Sequence, residues 1–261
     1  MVYSPASGRY LLMRKVVGVS PATSCDGVLG TYMAFESGRK EGGPLISAIV
    51  FDAFGTIVRI SKRTNAYGAL LKEGRRQGLV LTPDSTHFVM TANLSLDQVA
   101  DHLRIELSLL KRAELNDALG KELASIEPYP DALAAIDCLQ EAGVVIGICS
   151  NLAQPYGPVI RTTFPRVQCH AFSYELGVMK PDPSIYLVIC RKMGLETHHA
   201  ELEKAQARSR VVMIGDSRKC DKDGPTAVGI EGYHLDRSGM GHISDLMQFA
   251  NMITDHNARV E

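Results

Sequence analysis

The chain has no tryptophan, only 6% aromatic residues, no excess of either charge, and no apolar run long enough to cross a bilayer. A formal charge of -1 over 261 residues excludes the broad basic field that holds a protein on nucleic acid without regard to sequence. A small-molecule substrate is expected instead, with no nucleic-acid and no membrane partner; the oligomeric state is left open. The N-terminal segment YLLMRKVVGV is broken by Arg14 and Lys15, where a signal peptide needs uninterrupted apolar residues. The six cysteines (Cys25, Cys138, Cys149, Cys169, Cys190, Cys220) form no C-x-x-C pair, and several sit inside apolar runs. They read as reduced thiols packed as small hydrophobes, which places the chain in the cytoplasm.

Residues 1–44 are rich in Gly, Ser and Pro, show no sustained period and end in ESGRKEGGP. They read as a poorly ordered extension, and Met33 offers an alternative translation start. From residue 45 short β-branched runs alternate with helical segments: ISAIVF (46–51), VVIGIC (144–149), VQCHAF (167–172), VVMIG (211–215) and GIEGYHL (229–235). Continuous apolar runs of this length between amphipathic helices predict an α/β fold with a doubly wound, mostly parallel sheet covered on both faces. The core is expected to span 45–60 and 128–261. The stretch 61–127 carries helix punctuation and no strand signal. Thr82-Pro83 offers a helix start, Ser95 with Gln98 a capping box, and Leu103, Leu107, Leu115, Leu119 and Leu123 recur at helical spacing. A small all-helical cap is expected there, followed by EPYPDA (127–132), where Asp131 can cap the next helix.

In such sheets ligands bind beyond the carboxyl ends of the strands. The first run places Asp52 at a strand tip, with Gly55 and Thr56 in the turn after it. The second ends in Ser150-Asn151, the third is followed by ELGVMKPDP with Lys180, and the fourth ends in GDSRKCD with Asp216 and Asp221. A carboxylate facing the N–H groups of a tight turn is arranged to attack an electron-poor centre.

These four segments, in this order, resemble the four motifs of the haloacid dehalogenase (HAD) superfamily, and the YPD and GPTAVGI flanks are similar to it as well. The resemblance covers residues 46 to about 236 and implies a Rossmann-like hydrolase with a helical cap. It implies that Asp52 is the nucleophile of an aspartyl intermediate and that Ser150 and Asn151 hold the phosphoryl group. Lys180 would neutralise charge on that group and on Asp52. Asp52, the backbone of Phe54, Asp216 and Asp221 would hold or support Mg²⁺. Phosphoryl transfer depends on positioning and charge neutralisation, because an anion cannot approach an anionic ester without a cation between them.

One position departs from the phosphatase pattern. Phosphatases of the superfamily place a second aspartate, the general acid and base, where this chain has Phe54. An aromatic there resembles the 2-haloacid dehalogenases, which attack carbon without a metal, whereas Asp216 belongs to the metal-dependent phosphohydrolase pattern. The expectation is a Mg²⁺-dependent phosphohydrolase acting on a small phosphorylated metabolite. The alternatives are a 2-haloacid dehalogenase-type hydrolase and a catalytically weak phospho-ligand-binding relative. Several other residues have plainer readings. Asp182-Pro183 reads as a helix start, Arg218 and Lys219 as solvated, and His198-His199 as a polar helix surface. Arg63, Tyr67, Arg75 and Arg76 of the cap are candidates to meet an anionic substrate, although KEGRRQG also reads as a solvated helix end.

Overall fold

The computed structural model describes residues 44–195 and 209–260. The stretch 1–43 and His198-His199 lie outside the described residues. Five parallel strands form the main sheet in the order β5-β4-β1-β6-β7: β1 Leu45–Phe51, β4 Val145–Ser150, β5 Cys169–Phe172, β6 Ser209–Gly215 and β7 Glu231–His234. β1 lies at the centre because every residue from Ala48 to Phe51 is apolar and fully buried. Alternation along the strand sends Ile49 and Phe51 to one face and Ala48 and Val50 to the other. The first face packs on α5 (Pro130–Glu141) and on the C-terminal helix α9 (Leu246–Val260), where Phe51 meets Phe249 edge to face at 6.3 Å. The second face packs on α8 (Pro183–Lys192), through Ile185, Tyr186 and Ile189. Coverage on both faces is what an all-parallel sheet requires, and the apolar runs of the sequence encode it.

Two further strands, β2 (Val58–Ile60) and β3 (Ile126–Pro128), pair antiparallel at the two ends of the helical stretch. Sequence reasoning missed them, because three residues are too few to show a period. Between them lie α1 (Ala66–Arg76), α2 (Pro83–Thr91), α3 (Leu96–His102) and α4 (Leu109–Leu123), packed around a cluster that includes Leu70, Leu96, Val99 and Leu115 and takes in Ala153 from beyond β4. The Ser95–Gln98 capping box is formed in both directions. Pro83 starts α2, yet Thr82 makes no side-chain capping bond. Leu103 and Leu107 fall outside the helices, so the leucine series bridges two elements instead of marking one.

Asp131 does not cap α5, whose N-cap is Tyr129 with Pro130 at the first position. It sits in the first turn, and its carboxylate accepts from Arg237 and from the backbone N–H of Leu246. Asp182 does cap α8, accepting from Ser184 N at 2.9 Å. Among the described residues no helix is long and apolar enough to cross a membrane.

Candidate active site

β1 and β6 deliver the first two carboxylates side by side. Asp52 N extends the β1–β6 ladder by donating to Ile214 O at 3.0 Å, which fixes Asp52 at the carboxyl edge of the sheet. The chain then turns tightly: Gly55 takes a φ of 81°, a left-handed value that glycine adopts without strain. A Cβ on Gly55 would also collide with the Asp216 carboxylate, so this position must be glycine for Asp216 to approach Asp52. Thr56 lies between the two, its hydroxyl accepting from Asp216 N at 3.1 Å and facing Asp52 Oδ2 at 3.4 Å.

Lys180 arrives from the loop before α8 and is buried. Its Nζ donates to Asp52 Oδ1 at 2.6 Å and to Asp221 Oδ1 at 2.7 Å. Asp221 sits on a π-helical turn (Arg218–Asp223), with its other oxygen accepting from Ser217 N at 2.9 Å. Gly215 leaves the room that Asp221 needs, since a Cβ there would overlap its carboxylate.

Asn151, just past β4, uses its side-chain amide in both directions: Oδ1 accepts from Lys180 N at 2.7 Å and Nδ2 donates to Lys180 O at 2.9 Å. That side chain is thus committed to holding the lysine loop. Ser150 is buried at the end of β4. Phe54 is half-buried, with its ring edge to face on Tyr156 at 5.6 Å.

Asp52, Asp216 and Asp221 each offer an oxygen within 4.8 Å of the others. One ammonium therefore faces three carboxylates, two of them buried. Burial, followed by the charge of Asp52, raises the Asp216 carboxyl above its ordinary range. Asp221 is pushed up to about 6, by burial first, against the opposing pull of Lys180. Burial alone would lower Lys180, but Asp52 and Asp221 outweigh it and hold the ammonium well above its usual value. Raised carboxyls beside a charged lysine mark a site with surplus negative charge, and a hard cation with oxygen ligands would relieve it. Donor chemistry and spacing both fit such a cation.

Sequence reasoning did not find Arg237, which follows β7. Its guanidinium donates to Gly55 O at 3.2 Å, Thr56 O at 2.6 Å and Asp131 at 3.0 Å, and lies 3.8 Å over the Tyr129 ring. It fastens the turn after Asp52. Nothing in its local sequence marks it, because its partners are far away in the chain.

Glu122 and Tyr156 were missed for the same reason. Glu122, buried on α4, accepts from Thr64 N, Thr64 Oγ1, Asn65 N and, at 3.0 Å, the Tyr156 hydroxyl. Those bonds outweigh its burial and lower its carboxyl. Ser173 makes a second link, donating to Met90 O of α2 at 2.5 Å. Beside Phe54 a cavity of about 470 Å³ opens between these helices and the strand-end loops. Arg63, Tyr67 and Arg75 line it, whereas Arg76 is turned to Glu73.

The Rossmann-like sheet thus gathers Asp52, Asp216, Asp221 and Lys180 at its carboxyl edge, with the neutral Ser150 and Asn151 beside them. The profile of haloacid dehalogenase-like hydrolases matches residues 46–229, and the chain belongs to that family. Among solved structures, a HAD phosphatase from Thermococcus onnurineus is 19% identical with a TM-score of 0.54, covering 80% of this chain and 98% of its own. A 2-haloacid dehalogenase from Pseudomonas syringae pv. Tomato DC3000 is 16% identical with a TM-score of 0.56, covering 81% and 99%. At these identities the likenesses show the fold alone. No curated protein matches the chain in sequence.

Proposed function

We propose that this hydrolase is a Mg²⁺-dependent phosphohydrolase of the cytoplasm, acting on a small phosphorylated metabolite through an aspartyl intermediate on Asp52. The observation that carries the reading is Asp216, a third carboxylate within 4.8 Å of Asp52 and Asp221. Lys180 already serves both of those, and among the described residues Asp216 has no ion pair of its own. Asp216 is the exposed member of the three, and its repulsion from the Asp52 carboxylate is what a shared divalent ion would relieve.

Asp52, Asp216 and Asp221, with the backbone of Phe54, would hold or support the ion, which supplies the charge neutralisation that phosphoryl transfer needs. Lys180 pairs with Asp52 and offsets charge on the incoming phosphoryl group. Ser150 and the backbone after it bind the phosphoryl oxygens. The hairpin β2–β3 carries residues 61–127 as a cap over the strand ends, where it excludes water and selects the leaving group. Acid quenching of a reaction with a ³²P-labelled ester should leave label on the wild-type protein and none on Asp52→Asn. Label retained on Asp52→Asn contradicts the reading.

Phe54 favours a second reading, attack on carbon as in 2-haloacid hydrolysis, because a halide leaves without the proton that an aspartate at this position would give. It predicts halide release from a 2-haloacid with EDTA present.

A further inference from the structure

The cavity beside Phe54 is walled by Phe54, Tyr67, Leu71, Val89, Met90 and Tyr156, and none of its lining residues is acidic. Its two cations are Arg63 and Arg75. Among the described residues neither has a carboxylate partner, whereas Arg76 of α1 is paired to Glu73 and Arg112 of α4 to Asp97 and Asp101. Besides the weakly acidic Thr86 alcohol, the hydroxyl groups lining it are the phenols of Tyr67 and Tyr156. The Tyr156 hydroxyl already donates to Glu122, and burial raises the Tyr67 phenol above its ordinary range. The space for the leaving group is therefore apolar, aromatic on one side, cationic at its rim and without a proton donor.

We propose that the substrate is an aryl phosphate, the ester of an acidic phenol-like hydroxyl, whose ring stacks in this cavity and carries a second anionic group to Arg63 and Arg75. The proposal rests on the phosphohydrolase reading. An Asp52 oxygen forms the new bond to phosphorus, and the ester P–O bond breaks with its electron pair on the aryl oxygen. The phenolate leaves as an anion and is protonated by solvent. Water then adds to phosphorus, freeing Asp52 as the carboxylate with inorganic phosphate as product. An acidic leaving group needs no general acid, and an alkoxide does.

The experiment compares phenyl phosphate with benzyl phosphate, which offers a similar ring on a far less acidic oxygen, and with 4-carboxyphenyl phosphate. With Mg²⁺ present, benzyl phosphate should have a kcat/KM lower than phenyl phosphate by about 10²-fold or more, the scale of a missing general acid. Phe54→Asp should narrow that gap. Replacing Arg63 and Arg75 together by Ala should raise KM for 4-carboxyphenyl phosphate about tenfold more than for phenyl phosphate, as expected for a lost charge-assisted contact. Equal turnover of the benzyl and phenyl esters overturns the proposal while leaving the phosphohydrolase reading intact. Equal effects of the double substitution on both aryl esters overturn the anionic group. Absence of Asp52-dependent phosphate release from every ester overturns the phosphohydrolase reading itself.

Discussion

The Arg237 guanidinium donates to the Thr56 carbonyl at 2.6 Å across 181 positions of sequence, and so ties the end of β7 to the turn that shapes Asp52. Gly55 and Thr56 give their carbonyls to this clamp, while their N–H groups donate to Val58 O and Ala53 O within the turn. Because small displacements of a nucleophile are expensive, Arg237→Ala should lower kcat by about ten- to a hundredfold with a smaller change in KM. Arg237→Lys, lacking the planar fork, should recover little of the loss. Steady-state kinetics on the two variants decide this, and full activity in Arg237→Ala would remove the clamp from the account.

Among the described residues Lys180 is the one cation paired with both Asp52 and Asp221. Replacing it by Met leaves buried carboxylates uncompensated, which typically costs about 3–5 kcal/mol. Urea denaturation in EDTA should show a loss of that order for Lys180→Met, and added Mg²⁺ should restore part of it. A variant as stable as the wild type in EDTA would show that the lysine is not carrying the charge of the site.

Tyr156 and Glu122 join α6 (Tyr156–Thr163) of the core to α4. Glu122 keeps three other donors, so Tyr156→Phe should cost only about 1 kcal/mol. Its clearer signature should be faster hydrogen exchange over α4 and 64–65, with the sheet strands unchanged.

His170, on β5, is buried, and burial followed by the nearby Arg161 depresses it to about 4. The unfolded chain takes up this proton near pH 6.5, whereas the folded one does so near 4, so stability falls as pH drops through that window. The expected loss is on the order of 3 kcal/mol at the acid end. Asp221, raised to about 6, acts with the opposite sign. The difference between wild type and His170→Phe, measured by denaturation at several pH values, isolates the histidine. A difference independent of pH between 6.5 and 4 would contradict the assignment.

What could be read from the sequence followed from locality. Asp52 and Asp216 directly follow apolar runs, and Lys180 and Asp221 lie eight and six residues beyond theirs, so all four are recognisable from the sequence. The parallel sheet was legible because two-sided burial makes β1 continuously apolar. Arg237, Glu122 and Tyr156 were not legible, because each is defined by a partner that only folding brings near. β2 and β3 were too short to show a period, and Asp131 looked like a helix cap because its partners, Arg237 and Leu246, are more than a hundred positions away in the chain.

The claim on which the rest depends is that Asp216 makes the carboxylates around Asp52 a divalent-cation site serving phosphoryl transfer. It is tested most directly by measuring phosphate release with Mg²⁺ and with EDTA, for wild type and Asp216→Asn, alongside halide release from a 2-haloacid. The account predicts phosphate release from the wild type only with Mg²⁺, and very little from Asp216→Asn. Halide release that persists in EDTA, with no phosphate released in Mg²⁺, would contradict it.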